Sequence, residues 1–166
     1  MILFALDISP DVNTAAKKYY LSGGNKPKGM LLQYDTSKSI NGGAGCVGDH
    51  VERNKLLIDI LYDRQKALPK ELRPLFPKFK GLGKRGFDVI SSQFSIHYYF
   101  SDELTLRTYI QNISENIKKG GYFIGTCYDG MKVFNKFKTG SNPNHIEMID
   151  EFGNRVFSIH KKYDID

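Results

Sequence analysis

A chain of 166 residues, 40% of them hydrophobic, is long enough to bury one sizeable core and has the usual length of a single domain. It has no apolar run near the roughly 18 to 20 residues that span a bilayer, and its opening MILFALDIS is too short and too soon acidic for a signal peptide, so we expect an intracellular protein that is not inserted in a membrane. The net charge of +6 is compatible with a polyanionic partner such as RNA, although many proteins with this charge bind no nucleic acid.

The first half of the chain alternates apolar runs with helical patterns. Residues 2–7 (ILFALD) form a short apolar run that predicts a buried strand. Ser9 and Pro10 are typical of a helix start, and Gly23 follows where that helix should end. Residues 30–35 (MLLQYD) predict a second strand, and residues 49–68 predict a second helix.

The second half continues the alternation. Residues 87–92 (FDVISS) and 122–126 (YFIGT) predict two more strands, and residues 146–163 predict a hairpin. Between the two strands lies a helix that we expect Ser101 to cap and residues 118–121 (KKGG) to end. Its predicted apolar stripe consists of Leu106, Tyr109, Ile110, Ile113 and Ile117. Strands that alternate with helices favour an α/β fold with a mostly parallel sheet.

Two of the predicted strands end in a carboxylate. Ligands of open α/β sheets bind beyond the carboxyl ends of the strands, so Asp7 and Asp35 are candidate binding residues. A carboxylate at Asp7 could accept hydrogen bonds from both hydroxyls of a ribose, and one at Asp35 could accept from an adenine amino group, with Thr36 as a further contact. Taken alone, Asp7 is equally well explained as a capping or turn acid, and Asp35 is more often a turn residue. Two successive strands that both end in Asp are better evidence for a binding site than either acid.

A polar and aromatic segment follows the third predicted strand. Gln93 and His97 could hydrogen-bond to the edge of a base, and Tyr98 could stack on its face. The alternative for each of these residues is an aromatic plug of the core with a hydrogen-bonded histidine.

A glycine-rich loop offers a different hypothesis. Residues 43–48 (GAGCVG) fit the pattern G-x-G-x-x-G of dinucleotide-binding loops and precede a predicted helix. The loop follows its strand only after a long gap, and no acid ends a next strand at the expected distance. We therefore expect a flexible surface loop here. Cys46 and Cys127 lie far apart, without a second Cys or His at metal-ligand spacing, so we expect neither a disulfide nor a metal site.

Two stretches make the pattern specific. Residues 87–100 (FDVISSQFSIHYYF) and 112–130 (NISENIKKGGYFIGTCYDG) closely resemble the mRNA cap guanine-N7 methyltransferases, and TCYDG with the closing HKKYD most resembles the capping enzymes of large DNA viruses. The resemblance implies a Rossmann-like class I fold, dependent on S-adenosylmethionine, in one partial domain over residues 1–166. Residues 1–100 would form its donor-binding half, and residues 101–166 would supply a helix, a strand and the hairpin.

The resemblance also implies roles for individual residues. Asp7, Asp35, Thr36, Gln93 and Tyr98 would bind S-adenosylmethionine, while His97 and Tyr98 would bind the cap guanosine. No residue would act as an acid or base, because guanine N7 is already nucleophilic and the sulfonium is already an activated donor, so proximity and orientation suffice.

The partners implied are the capped 5′ end of mRNA and the remaining domains or subunits of a capping enzyme. The compartment would be the host cytoplasm or a virion for a viral protein, or the nucleus for a cellular one. Relative to the family pattern, we expect the first strand with its glycine-rich donor loop, and the last strands, to be missing. Two alternatives therefore stay open: a non-catalytic RNA- or cap-binding fragment, and another Rossmann-fold methyltransferase or an NAD-binding enzyme.

Overall fold

A computed structural model describes residues 2–24, 28–64, 69–74, 76–140 and 142–162 of the chain. It divides into two compact units, Met1–Thr126 and Cys127–Asp166, which are considered separately. None of the helices in the described ranges combines the length and the apolar character needed to cross a membrane.

In the described part of the first unit, four strands alternate with single helices or groups of helices. The strands are β1 (Ile2–Asp7), β2 (Lys28–Gln33), β3 (Phe87–Gln93) and β4 (Ile117–Thr126). The helices are α1 (Asp11–Leu21), α2 (Val51–Leu61), α3 (Phe76–Phe79), α4 (Leu82–Arg85) and α5 (Glu103–Asn116), with 3₁₀ turns at Lys70–Leu72 and Ile96–Ser101. The alternation confirms the predicted α/β class.

The strands of this unit form two parallel pairs. Strand β1 pairs with β2 from Ile2 opposite Lys28 to Asp7 opposite Gln33. Strand β3 pairs with β4, with an irregularity in register between Phe87 and Val89. The predicted parallel pairing is therefore present. Among the described residues, however, the two pairs are not hydrogen-bonded into the single sheet expected from the sequence.

The core of the first unit lies between β2 and the helix that follows it. Leu32 and Tyr34 from the β2 segment pack with Ile58, Ile60 and Leu61 of α2, and all five side chains have almost no exposed surface. Such a run of fully buried apolar residues on both a strand and its helix is the expected signature of a parallel αβ unit. Burying side chains of this size stabilises the fold by about 1.5 to 3 kcal/mol each.

Helix α5 differs from its prediction at both ends and on its buried face. Its cap is Asp102 and not Ser101, because the Asp102 carboxylate accepts from the Thr105 backbone N–H at 2.7 Å. This bond and those from the Thr105 and Ser101 hydroxyls favour the charged carboxylate, so they lower the pKa of Asp102. The predicted stripe residue Ile110 is 56% exposed. The buried positions include Tyr109 and two asparagines, Asn112 and Asn116.

Three other boundaries are corrected. Helix α2 ends at Leu61, well before the predicted end at residue 68, and residues 65–68 lie outside the described ranges. Strand β2 ends at Gln33, so Asp35 lies two residues beyond it. Strand β4 begins at Ile117, so that the KKGG segment belongs to the strand and not to the end of α5. Pairing of Ile117 with Phe87 in β3 overrides the local helix-stop signal there.

The second unit contains one helix and a hairpin. Helix α6 (Gly130–Thr139) was not predicted, although Asp129 caps it by accepting from the Lys132 N–H at 3.1 Å. Strands β5 (His145–Ile149) and β6 (Arg155–His160) pair antiparallel and confirm the predicted hairpin, whose expected last residue, 163, lies outside the described ranges.

Candidate functional site at the carboxyl ends of the strands

The two predicted acids lie on neighbouring chain segments. Asp7 is the last residue of β1, and its carbonyl accepts from the Tyr34 N–H at 2.8 Å, one residue before Asp35. One oxygen of Asp7 accepts from the Ser9 N–H at 2.8 Å, and one oxygen of Asp35 accepts from the Ser37 N–H at 2.9 Å. Both acids thus stabilise turns, as the alternative interpretation expected. These turns engage only Oδ1 of each carboxylate.

Gln93 is the last residue of β3, and both polar atoms of its side-chain amide are hydrogen-bonded. Its Oε1 accepts from the Thr126 hydroxyl at 2.9 Å, and its Nε2 donates to the Ser91 hydroxyl at 2.9 Å. The next residue, Phe94, has a φ of +50°, and its N–H donates to the Thr126 carbonyl at 3.0 Å. A non-glycine residue in this left-handed region is uncommon and is maintained here by hydrogen bonding to β4. The chain therefore turns sharply after Gln93.

The aromatic residues after this turn divide into an exposed and a buried group. Tyr98 is 70% exposed, and its ring lies 4.3 Å from the half-buried ring of His97 at an angle of 40°. Tyr99 is buried and stacks on Tyr109 of α5 at 3.8 Å. The aromatic plug expected as the alternative is therefore Tyr99, whereas Tyr98 is exposed and available to a ligand.

A contact between Thr36 and Tyr99 joins the two parts of the site. The hydroxyls of Thr36 and Tyr99 form a hydrogen bond, which places the segment after β3 against the segment after β2. Burial raises the pKa of Tyr99, and the nearby negative charges of Asp35 and Asp7 raise it further, partly offset by the Thr36 hydrogen bond. Asp7, Asp35 and Thr36 thus lie at the same edge of the unit as the residues that follow Gln93.

Asn112 of α5 holds this arrangement and was not predicted. Its side chain is 4% exposed and donates to the carbonyls of Thr36 and Lys38 at 3.0 and 2.9 Å, while its Oδ1 accepts from the Ile40 N–H at 2.9 Å. One amide therefore satisfies three backbone groups of the loop after Asp35. No specific signal in the sequence pointed to this role, since Asn112 is one of two asparagines on a face of α5 that also carries Tyr109.

The glycine-rich loop packs against β2 and is less exposed than the flexible surface loop we expected. Gly45 is buried, and its carbonyl accepts from the Asp35 N–H at 2.7 Å. A Cβ at Gly45 would lie 2.1 Å from the Asp35 carbonyl oxygen, and one at Gly48, where φ is +79°, would lie 2.0 Å from the Gln33 side chain. These two glycines are therefore explained by close approach to β2, without a dinucleotide.

A comparison with protein families tests the resemblance drawn from the sequence. The mRNA (guanine-N(7))-methyltransferase domain matches residues 64–165, more than half of the 166 residues. The chain belongs to the mRNA (guanine-N(7))-methyltransferase family. This confirms the resemblance drawn from residues 87–100 and 112–130, and the mixed α/β architecture fits a class I methyltransferase.

Proteins similar to the chain include a viral capping enzyme and cap methyltransferases of fungi and nematodes. The chain is 39% identical over 79 residues to a probable mRNA-capping enzyme of Acanthamoeba polyphaga mimivirus, an alignment that covers 46% of the chain and 7% of the viral protein. It is 35% identical over 100 residues to the mRNA cap guanine-N(7) methyltransferase of Meyerozyma guilliermondii (57% of the chain, 16% of the relative). The corresponding Candida albicans protein is 33% identical over 87 residues (51% and 18%). The chain thus spans less than a fifth of each of these relatives.

The match to the mRNA (guanine-N(7))-methyltransferase domain covers only some of the predicted site residues. Gln93, His97 and Tyr98 lie within the matched residues, whereas Asp7 and Asp35 precede them. The binding roles of all these residues remain predictions. A cation site stays unsupported, because no group of three or more metal-ligating side chains occurs in the described ranges.

Proposed function

We propose that this chain transfers a methyl group from S-adenosylmethionine to N7 of the guanosine cap of mRNA. The observation that supports this most strongly is the Thr36–Tyr99 hydrogen bond, because it brings the acids after β1 and β2 to the loop that lies within the family match. The residues proposed to bind the donor and those proposed to bind the cap would thereby share one edge of the parallel strand pairs.

The residues at this edge fit an adenosine donor. Asp7 is exposed at the end of its strand, where its carboxylate can accept from both ribose hydroxyls. Asp35 and Thr36, both half-buried one strand further along, can accept from the adenine amino group. Gln93 is held in place by Thr126 and Ser91, and it would line the methionine side of the pocket together with Tyr98.

The chemistry requires orientation and exclusion of water. When bound, the donor supplies a methyl group on a positively charged sulfur. In the transfer, the bond from the methyl carbon to sulfur would break as its bond to guanine N7 forms, and the positive charge would pass to the guanine ring, so none of the chain's residues would have to remove a proton. His97 and Tyr98 would hold the guanine in line with this carbon, which is catalysis by proximity.

The capped 5′ end of mRNA is the proposed substrate, and the remaining domains or subunits of a capping enzyme are the proposed partners. The chain's net charge of +6 favours binding of the cap triphosphate and RNA. We further propose that residues 1–166 act within one methyltransferase domain, in the host cytoplasm or virion of a virus or in the nucleus of a cell.

Calorimetry with S-adenosylhomocysteine and with a capped dinucleotide tests the proposal. We expect His97→Ala to weaken binding of the capped dinucleotide at least about tenfold, or roughly 1.4 kcal/mol, and to leave S-adenosylhomocysteine binding almost unchanged. We expect Asp7→Asn to have the opposite selectivity. Asp88→Asn is the matched control for Asp7→Asn, because Asp88 is exposed and lies near the amino end of β3, at the other end of that strand from Gln93. Equal loss of both ligands in His97→Ala would show that His97 has only a structural role.

Methyl transfer to N7 of a capped RNA by the chain completes the test. We expect radiolabelled methyl groups to appear at N7, and the rate to fall in both His97→Ala and Asp7→Asn. Binding of the capped dinucleotide without S-adenosylhomocysteine binding would support a non-catalytic cap-binding module in place of the enzyme.

A further inference from the structure

Residues 70–85, named here the basic segment, carry most of the unbalanced positive charge of the chain. They contain six basic residues and one acid, a net charge of +5, whereas the chain as a whole has a net charge of +6. All six basic residues of the segment are exposed: Lys70, Arg73, Lys78, Lys80, Lys84 and Arg85. The positive charge of the chain is therefore concentrated in one short stretch of its surface.

The basic segment is attached to the core by its apolar side chains. Leu72 and Phe79 are buried in the core cluster, and Phe76 and Leu82 pack against it. Helices α3 and α4, which lie in the segment, contact α2. Because the apolar side chains occupy the inner side of the segment, its basic residues are displayed on a folded surface.

Few of these cations are neutralised by an acid. Lys80 and Lys84 share one carboxylate, that of Asp63, at 3.4 and 3.9 Å. The other four basic residues of the segment make no ion pair within the described ranges: Lys70, Arg73, Lys78 and Arg85. Like charges crowded on one surface repel each other and attract a polyanion. The chain itself does not supply that polyanion in the part that the structure describes.

Two lysines of β4 extend the basic surface. Gly86 directly follows the basic segment, and a Cβ at Gly86 would lie 3.2 Å from Cγ of Lys118. Lys118 and Lys119 are exposed near the start of β4. Lys118 binds Asp88 at 2.7 Å, whereas Lys119 makes no ion pair among the described residues. Two separate parts of the chain thus place cations at the amino ends of β3 and β4.

The basic surface lies at the opposite end of β3 from the proposed cap-binding residues. Strand β3 begins at Phe87, just after the basic segment, and ends at Gln93, before His97 and Tyr98. At about 3.3 Å per residue, the strand spans roughly 20 Å. Nucleotides spaced as in a duplex strand, about 3.4 Å apart, cover this distance in about six steps. Nucleotides that follow the cap, and not the cap itself, can therefore reach the basic segment.

We propose that the basic segment, together with Lys118 and Lys119, binds the phosphates of the RNA downstream of the cap. This inference rests on the proposed function, because binding of the cap at the carboxyl ends of the strands is what brings the RNA to the chain. RNA is favoured over an acidic protein for the same reason, since the phosphates of the substrate lie within roughly 20 Å of the segment. The contacts are made to the RNA backbone, so they add affinity without sequence preference.

Binding of capped RNAs of increasing length tests the proposal. Fluorescence anisotropy compares a capped dinucleotide with capped RNAs of about six and about 20 nucleotides, each in a series of salt concentrations. We expect the longest RNA to bind the chain at least about tenfold more tightly than the capped dinucleotide, and the gain to begin once the RNA has about six nucleotides. We also expect the affinity for the longest RNA to fall much more steeply with salt, because more phosphates are neutralised.

Two triple variants with the same change in charge locate the surface. The first neutralises three unpaired cations of the basic segment: Lys70→Gln, Lys78→Gln and Arg85→Gln. The control neutralises three exposed cations of α1 and the start of α2: Lys17→Gln, Lys18→Gln and Arg53→Gln. We expect the first variant to bind the longest RNA at least about tenfold more weakly, with a salt slope smaller by about 2, and the control to bind it nearly as the parent does. Both should bind the capped dinucleotide like the parent, which also shows that they are folded.

Other outcomes would overturn the proposal. Equal weakening in the two triple variants would show that net charge alone attracts the RNA. If the longest capped RNA binds the parent chain no more tightly than the capped dinucleotide, no RNA surface exists beyond the cap site, although the proposed function stands. If the capped dinucleotide does not bind at all, the proposed function fails, and an uncapped RNA of the same length decides the role of the segment in the same two variants. Displacement of the RNA by polyglutamate at an equal concentration of charge would assign the segment to an acidic protein.

Discussion

Replacing Asn112 with alanine should both destabilise the fold and weaken donor binding. The substitution removes two hydrogen bonds to the Thr36 and Lys38 carbonyls and one from the Ile40 N–H. Each such bond contributes about 1 kcal/mol net, and a buried group left without a partner costs about 1 to 3 kcal/mol. Because water can reach part of the released loop, we expect the free energy of unfolding to fall by about 2 to 4 kcal/mol.

The loop that Asn112 holds follows Asp35, so releasing it should also weaken binding of the donor. If re-ordering the loop costs roughly 1.4 kcal/mol, binding of S-adenosylhomocysteine weakens about tenfold. Urea unfolding followed by circular dichroism measures the first effect, and calorimetry measures the second.

Gln111→Ala is the matched control for Asn112→Ala. Gln111 is the preceding residue of α5, and its exposed amide donates only to Glu115 on the helix surface. We expect Gln111→Ala to change the free energy of unfolding by less than about 0.5 kcal/mol. If the two variants lose similar stability, or if Asn112→Ala binds S-adenosylhomocysteine as well as the parent, the Asn112 side chain does not hold the loop and the reasoning is refuted.

Two further predictions concern the packing beneath the site. Gly45→Ala should destabilise the chain by at least about 1 to 3 kcal/mol in urea unfolding, because its Cβ would lie 2.4 Å from the Tyr34 ring, whereas Gly42→Ala, with its nearest neighbour at 3.7 Å, should be nearly neutral. Burial raises the pKa of Tyr34 to about 12. Folding therefore disfavours the ionised form of Tyr34. The stability that results is complete below pH 10 and is lost as the pH rises from 10 to 12, because Tyr34 ionises at a lower pH in the unfolded chain. The free energy of unfolding should fall by no more than about 1.4 kcal/mol per pH unit. In Tyr34→Phe, the free energy of unfolding should therefore fall less steeply with pH between pH 10 and 12, which urea unfolding at pH 9 to 12 measures. A pH dependence equal to that of the parent chain would contradict the raised pKa of Tyr34.

The elements that the sequence predicted well are those in which local pattern and tertiary packing agree. Residues 2–7 form an apolar run ending in an acid, and the observed strand has the same bounds. The hairpin was recognised because a turn at residues 151–154 separates two β-rich runs, and β5 and β6 flank that turn. In β1 and in the hairpin, the local sequence pattern and the tertiary contacts favour the same structure.

The errors arise where distant contacts decide. The segment of residues 118–121 carries a strong helix-stop signal, but pairing with β3 extends β4 back to Ile117. The sequence pattern could not identify Asn112 as a site residue, because its hydrogen-bond partners lie 72 to 76 positions away in the chain. Helix α6 was not predicted, although Asp129 is a suitable cap for it.

The site is organised by α5 more than by either strand pair. The residues proposed to contact the cap lie within the family match, and the acids proposed to contact the donor lie before it, so something has to join the two. Asn112 fixes the loop after Asp35, and Tyr109, one turn earlier on α5, stacks on Tyr99. Tyr99 in turn hydrogen-bonds to Thr36. Because one helix contacts both segments, a ligand that orders one of them should favour the ordered form of the other, which would couple donor binding to cap binding in addition to the direct contact between the two ligands.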